Sequence, residues 1–239
     1  LEEFLRQNYT LLVRSVEMLA AIIGVFCLKK YKHTTAKYFI YIVIYWVLVD
    51  RLGGYTTDIN NYKWLHFIKL KIEGTWFEKN YWWYSIFSFF LARLFFILYF
   101  LKILKNKYFK QTIKVLTICY VIAYLTYYAI HFESLFLHFT HISLKIFGAA
   151  IIFLCCIFYF IEVLLSDKIL NFYRSLNFYI AAVLFIWVLI LTPVSFYNVY
   201  FTTADWNFVV LKWQIYLGAI MFMYLTFSFA LLWCKPQND

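Results

Sequence analysis

Seven stretches of the chain are almost continuously apolar: Leu11–Leu28, Tyr38–Val49, Tyr81–Leu101, Ile113–Ile130, Leu144–Leu165, Leu176–Pro193 and Phe208–Cys234. Short polar segments separate them. A helix needs about 20 mostly apolar residues to cross a bilayer, so the pattern predicts an all-α polytopic bundle of about seven transmembrane helices. The second stretch is the weak one, because its apolar run stops at Asp50 and Arg51. A span near 38–54 must carry those two charges with it. With two prolines and six glycines in the whole chain, the helices should be mostly unbroken. The longest connection, 55–80, contains Ile68-Lys69-Leu70-Lys71-Ile72-Glu73. Its period-two alternation predicts a short strand or hairpin, with an amphipathic segment lying on the bilayer as the alternative. No internal repeat is visible, which weighs against an inverted-repeat transporter.

Composition narrows the class further. Hydrophobic residues make up 65% of the 239 residues and charged ones 14%. Soluble domains average about 45–50% apolar and about 25% charged, so a soluble fold, a disordered chain and a disulfide-stapled secreted scaffold are all excluded. Residues 1–239 read as a single integral membrane domain in contact with the lipid bilayer. The net charge of +10 is the signature of lysine-rich cytoplasmic loops and gives no reason to expect nucleic acid. Lys29, Lys30, Lys32 and Lys37 follow the first span, Lys102, Lys105, Lys107 and Lys110 the third, Lys168 and Arg174 the fifth, and Lys235 the seventh. The opposite connections contain Glu2, Glu3, Asp58, Glu73, Glu78, Glu133 and Asp205. The expected orientation is therefore N-terminus outside and C-terminus cytoplasmic, in a bacterial inner membrane. No cleavable signal peptide is expected, since the first run lies behind Glu2-Glu3 and contains Arg14 and Glu17. The five cysteines lie in or at the ends of apolar runs without a Cys-x-x-Cys pair, and read as small packing residues.

Ionisable residues inside spans are costly and therefore mark candidate sites. Arg14 and Glu17 share a helical face three residues apart, which predicts a mutual ion pair. Arg93 sits near the middle of the third span with no acidic residue of its own there. It calls for a partner inside the bundle, Glu17 or Asp50. Lys145 and Lys212 enter near the outer ends of the fifth and seventh spans. The candidate ligand-binding set is Arg14, Glu17, Asp50, Arg93, Lys145 and Lys212, ringing a polar cavity that opens outwards. The competing reading is a set of structural ion pairs and snorkelling lysines. Four cations against two carboxylates favour an anionic or carboxylate-bearing ligand.

A second cluster, His131, Glu133, His138 and His141, is a candidate zinc or copper site, or an interfacial loop. No cofactor is identified. Zinc-protease, serine-elbow, phosphate-loop and desaturase histidine motifs are missing. A retinal protein is disfavoured, since Lys212 lies near the mouth of its span and Arg93 stands where an acidic counter-ion is wanted.

The run Arg14-Ser-Val-Glu17, then Lys29-Lys-Tyr-Lys, Lys37-Tyr-Phe-Ile-Tyr and Val-Leu-Val-Asp50-Arg-Leu-Gly53-Gly54-Tyr55, resembles uncharacterised small seven-span proteins of Bacteroidota-type bacteria that can accompany histidine kinases. The resemblance covers the first two spans and the overall length. It implies sensing and nothing more specific. Together with the intramembrane charges, the first reading is a receptor-like subunit that binds a ligand or partner in its outer half and relays to a separate protein partner. An oligomeric channel or transport component is the alternative, with Arg93 and Glu17 lining a pathway. A third reading is a lipid-modifying enzyme using His131, Glu133 or Asp50.

Overall fold

The computed structural model describes residues 2–200 and 206–236. Asp205, assigned above to an external connection, lies outside the described residues, as does the side chain of Lys168. Seven long helices account for most of the chain: α1 Glu2–Tyr31, α2 Ala36–Gly53, α3 Tyr81–Ile103, α4 Lys107–Ile130, α5 Ile142–Leu164, α6 Leu176–Tyr200 and α7 Trp206–Trp233. Apart from α2, each is long and apolar enough to cross a bilayer. The bent pair of α2 and Tyr55–Asn61, meeting at 41°, makes a seventh when counted as one span. At about 1.5 Å per residue, the 18 residues of α2 reach about 27 Å, close to the thickness of a hydrocarbon core. The chain is an all-α polytopic membrane protein. Each apolar run of the sequence coincides with one of these helices to within a residue or falls inside it, and α1 extends the first run upstream to Glu2.

The helices run alternately up and down; the end carrying Glu2, Gly53 and Tyr81 is the upper one here. Six of them, α1, α2, α3, α5, α6 and α7, form a closed ring, each touching the next, with α1 and α7 side by side and parallel. α4 stands outside the ring against α3 and α5. Its sequence has two opposite faces to match. Tyr120, Tyr124 and Tyr128, spaced four apart, are buried, whereas Val115, Ile118, Ile122 and Leu125 are exposed. A soluble helix would not expose such a stripe; a lipid-facing one does.

The α1–α7 seam is fastened at both ends. Above, the Trp206 indole donates to Glu2. Below, Lys30 Nζ donates to the carbonyls of Leu231 and Leu232, both at 2.8 Å, and Tyr31 Oη donates to those of Leu231 at 3.2 Å and Cys234 at 2.8 Å. These are carbonyls of the last turn, which have no helical donor, and a lysine there also complements the helix dipole. A second lower fastening is Glu162 on α5, which accepts from the backbone N–H of Lys105 and Asn106 at 2.8–3.0 Å and holds the α3–α4 connection.

Three regions differ from the sequence expectation. The alternating segment Ile68–Glu73 does not form a strand; His66–Ile72 is helical. A two-stranded ribbon there would have no sheet to join, whereas a helix satisfies its backbone internally. Lone hairpins are marginal in water for that reason. Second, α6 does not stop at Pro193 but continues to Tyr200. Pro193 has no N–H, so one helical bond is lost, a defect membrane helices tolerate.

Third, α3 is not a uniform α-helix. Tyr84–Leu91 is π-helical, between the α-helical turns Tyr81–Trp83 and Ala92–Ile103. Such wide turns appear preferentially at functional sites. Carbonyls in this segment bond outside the helix: Tyr124 Oη donates to Ser85 O at 2.6 Å, Tyr120 Oη to Phe89 O at 2.9 Å, and Tyr45 Oη to Phe87 O at 2.7 Å. The tyrosine face of α4 therefore braces the wide turn from outside the ring.

Candidate functional site: a charged cavity inside the ring

The six ring helices enclose a cavity of about 470 Å³, within the range of small-molecule sites. Every ring helix contributes to its wall and α4 contributes no lining residue. Four acidic or basic side chains line it, Glu17, Asp50, Arg93 and Lys145. The cavity occupies the upper and middle part of the bundle. Below it the ring is solid, with Phe39, Phe100, Ile180 and Phe227 fully buried.

The carboxylates stand on the α1–α2 wall. Glu17 is 8% exposed and lines the cavity together with Tyr224 of α7. Asp50 Oδ1 accepts from Tyr84 Oη at 3.3 Å. Asp50 can sit there because the corner above it is tightly built. Trp83 Nε1 donates to Val49 O at 2.8 Å, and Asn80 Nδ2 to Gly53 O at 2.7 Å. A side chain at Gly53 would put its Cβ 2.7–2.9 Å from Trp83 and Tyr84. Arg14, on the same wall, has its Nη2 against Gly54, where a Cβ would come within 2.7 Å. Its Nε is buried without a partner.

The cations stand on the α3–α5 wall. Arg93 Nη1 donates to Leu144 O at 3.3 Å, and the guanidinium packs near the Tyr120 hydroxyl across Gly148. Gly148 makes room for it: a Cβ there would lie 2.7 Å from Arg93 Cδ and 2.8 Å from Nη1. Lys145 Nζ lies 4.6 Å from the Phe89 ring centroid and 5.4 Å from that of Phe139. The Arg93 guanidinium is 5.4 Å from the same Phe89 ring, so one aromatic side chain from the wide turn carries both cations. Lys212 does not line the cavity.

The expected ion pairs do not form. Among the described residues the ion pair within 4 Å is Arg51–Asp58, at 2.6 Å and near the surface. Arg14 reaches upward to Gly54 while Glu17 points inward to Tyr224, so their shared helical face does not bring them into contact. Arg93 bonds to the Leu144 carbonyl of α5 rather than to Glu17 or Asp50. The lining charge is also more even than the full candidate set implied, with two carboxylates facing two cations.

Histidines 131–141 take another role. His131 and His141 pack on the Tyr127 ring at 5.0 and 5.3 Å between centroids, and His141 Nδ1 accepts from Ser143 N at 3.4 Å, capping α5. Among the described residues no group of three His, Cys, Asp or Glu side chains is placed to hold a metal ion. Sequence reasoning also misses Tyr84, Tyr224 and Gly148, since nothing distinguishes those tyrosines among 22. No family model, curated protein or solved structure matches this chain.

Proposed function

We propose that this protein is a receptor-like subunit of a bacterial inner membrane. In this reading it takes a small ligand into the ring from the outer half and relays occupancy to a separate protein partner. The observation that carries the reading is the cavity wall. A ligand seated there touches all six ring helices at once, so its binding free energy can shift their packing. The lysine-rich lower connections support an orientation with that end cytoplasmic. They also offer a basic surface for a partner, and the resemblance of the first two spans to companions of histidine kinases agrees with such an output. The solid layer below the cavity favours binding over conduction through a single chain.

Native mass spectrometry of the protein extracted gently from its own membrane tests this. The expected result is a bound small molecule together with a stoichiometric second protein. A homo-oligomer with neither, combined with an Arg93→Gln change in liposome ion selectivity, would overturn the reading in favour of a channel.

A further inference from the structure

Resting on that ligand-binding reading, we infer that the cavity takes a zwitterion: a molecule with an ammonium and an anionic group, carboxylate or phosphate, held apart by an apolar chain or ring. Three features of the wall lead there. The negative groups are confined to one side, Glu17 and Asp50, with Asp50 tied to the Tyr84 hydroxyl of α3. The positive groups are confined to the other, Arg93 and Lys145, gathered on the Phe89 ring. No ion pair within 4 Å joins the two sides among the described residues, so each pair lacks a direct salt-bridge counter-charge. The rest of the wall is chiefly apolar, including Trp46, Phe96, Ile152, Leu184, Trp187 and Met223.

Like charges placed together in a low-dielectric site repel, and an opposite charge between them relieves the repulsion. A singly charged ligand would relieve one pair and leave the other without a partner at salt-bridge distance. A simple anion, favoured by a count of all six candidate charges, would gain from Arg93 and Lys145 while meeting Glu17 and Asp50 across the same space. A zwitterion of suitable length answers both, and its hydrocarbon portion lies against the apolar wall. The same chemistry exists in a soluble amino-carboxylate and in the head of phosphatidylethanolamine.

The test uses the full chain in nanodiscs of phosphatidylglycerol, with tryptophan fluorescence and thermal shift as readouts. The probes are 6-aminohexanoate, 8-aminooctanoate and 12-aminododecanoate, each with its N-acetyl and methyl-ester forms. At least one parent should bind on the order of tenfold or more tighter than both its singly charged derivatives, the factor that 1.4 kcal/mol represents. Glu17→Gln should abolish the advantage over the N-acetyl form, and Arg93→Gln the advantage over the ester. Equal binding of parent and derivatives would overturn the zwitterion while leaving a ligand-binding cavity. Silence from every probe, 1-octanol included, would remove the cavity reading as well. With the preference established, phosphatidylethanolamine added to the discs either displaces the probe, naming a lipid source, or does not, naming a soluble one.

Discussion

The Tyr124 hydroxyl donates to the Ser85 carbonyl at 2.6 Å, joining the helix outside the ring to the wide turn of α3. With the Tyr120 bond to Phe89 O, it makes α4 a brace for the segment that presents Tyr84, Phe89 and, one turn on, Arg93 to the cavity. Tyr124→Phe removes the donor from a buried carbonyl, and we expect a loss of about 1–2 kcal/mol in stability, read as a lower unfolding midpoint in detergent.

Tyr120→Phe should behave differently. Its hydroxyl donates to Phe89 O and packs with Arg93 around Gly148, where a Cβ would lie 3.1 Å from Tyr120 Oη and 2.8 Å from Arg93 Nη1, so its removal loosens the seat of Arg93 as well as the wide turn. We expect ligand affinity to fall at least fivefold beyond the effect of Tyr124→Phe. Calorimetry on the two variants side by side checks this, and equal affinities would refute the positioning role of Tyr120.

Gly148 is the smallest test of the cation wall. Adding one methyl places it 2.7 Å from Arg93 Cδ, which the flexible arginine can escape only by leaving its place. Gly148→Ala should cost about 1–3 kcal/mol and weaken ligand binding. Gly218→Ala, where a Cβ meets nothing within 4 Å, should leave ligand affinity unchanged.

At the lower end, Glu162→Ala strips the acceptor from the N–H groups of Lys105 and Asn106. Charge-assisted bonds of this kind are worth about 1.5–3 kcal/mol. The α3–α4 connection should become sensitive to limited proteolysis, while Glu162→Gln, which keeps an acceptor oxygen, should restore part of the protection.

Lys30→Met tests the α1–α7 seam. It leaves the carbonyls of Leu231 and Leu232 without their lysine donor, so amide exchange over the last turn of α7 should speed up with little change at the upper end. Unchanged exchange there would show that Tyr31 alone closes the seam.

How far these features can be read from the residues depends on the length scale of each signal. The spans announce themselves because about 20 apolar residues in a row have few other uses. Even the weak second span is legible, down to the charges at its end. The grouping of Glu17, Asp50, Arg93 and Lys145 is also legible, because the number of crossings fixes which ends lie together. The contacts between them are not. Whether Arg93 turns toward Glu17 or toward Leu144 depends on Gly148, a residue 55 positions away whose role lies in a missing side chain. The wide turn is hidden for a similar reason: Tyr84–Leu91 is as apolar as an ordinary helix, and its cause lies partly in Tyr45, Tyr120 and Tyr124 on other helices. In His66–Ile72 the alternation is real but too short to outweigh the lack of a second strand.

The wide turn of α3 also holds slack. A π-helical stretch accommodates more residues in the same rise than an α-helix does, so converting it to α geometry means feeding residues along the helix. Each residue passed through rotates the downstream half of α3 by about 100° at 3.6 residues per turn. Arg93, two positions beyond Leu91, would sweep off the cavity wall, and Phe96 and Ile97 would change faces with it. The three tyrosine hydroxyls on Ser85, Phe87 and Phe89 therefore act as stays that hold α3 at the rotation in which Arg93 faces the cavity.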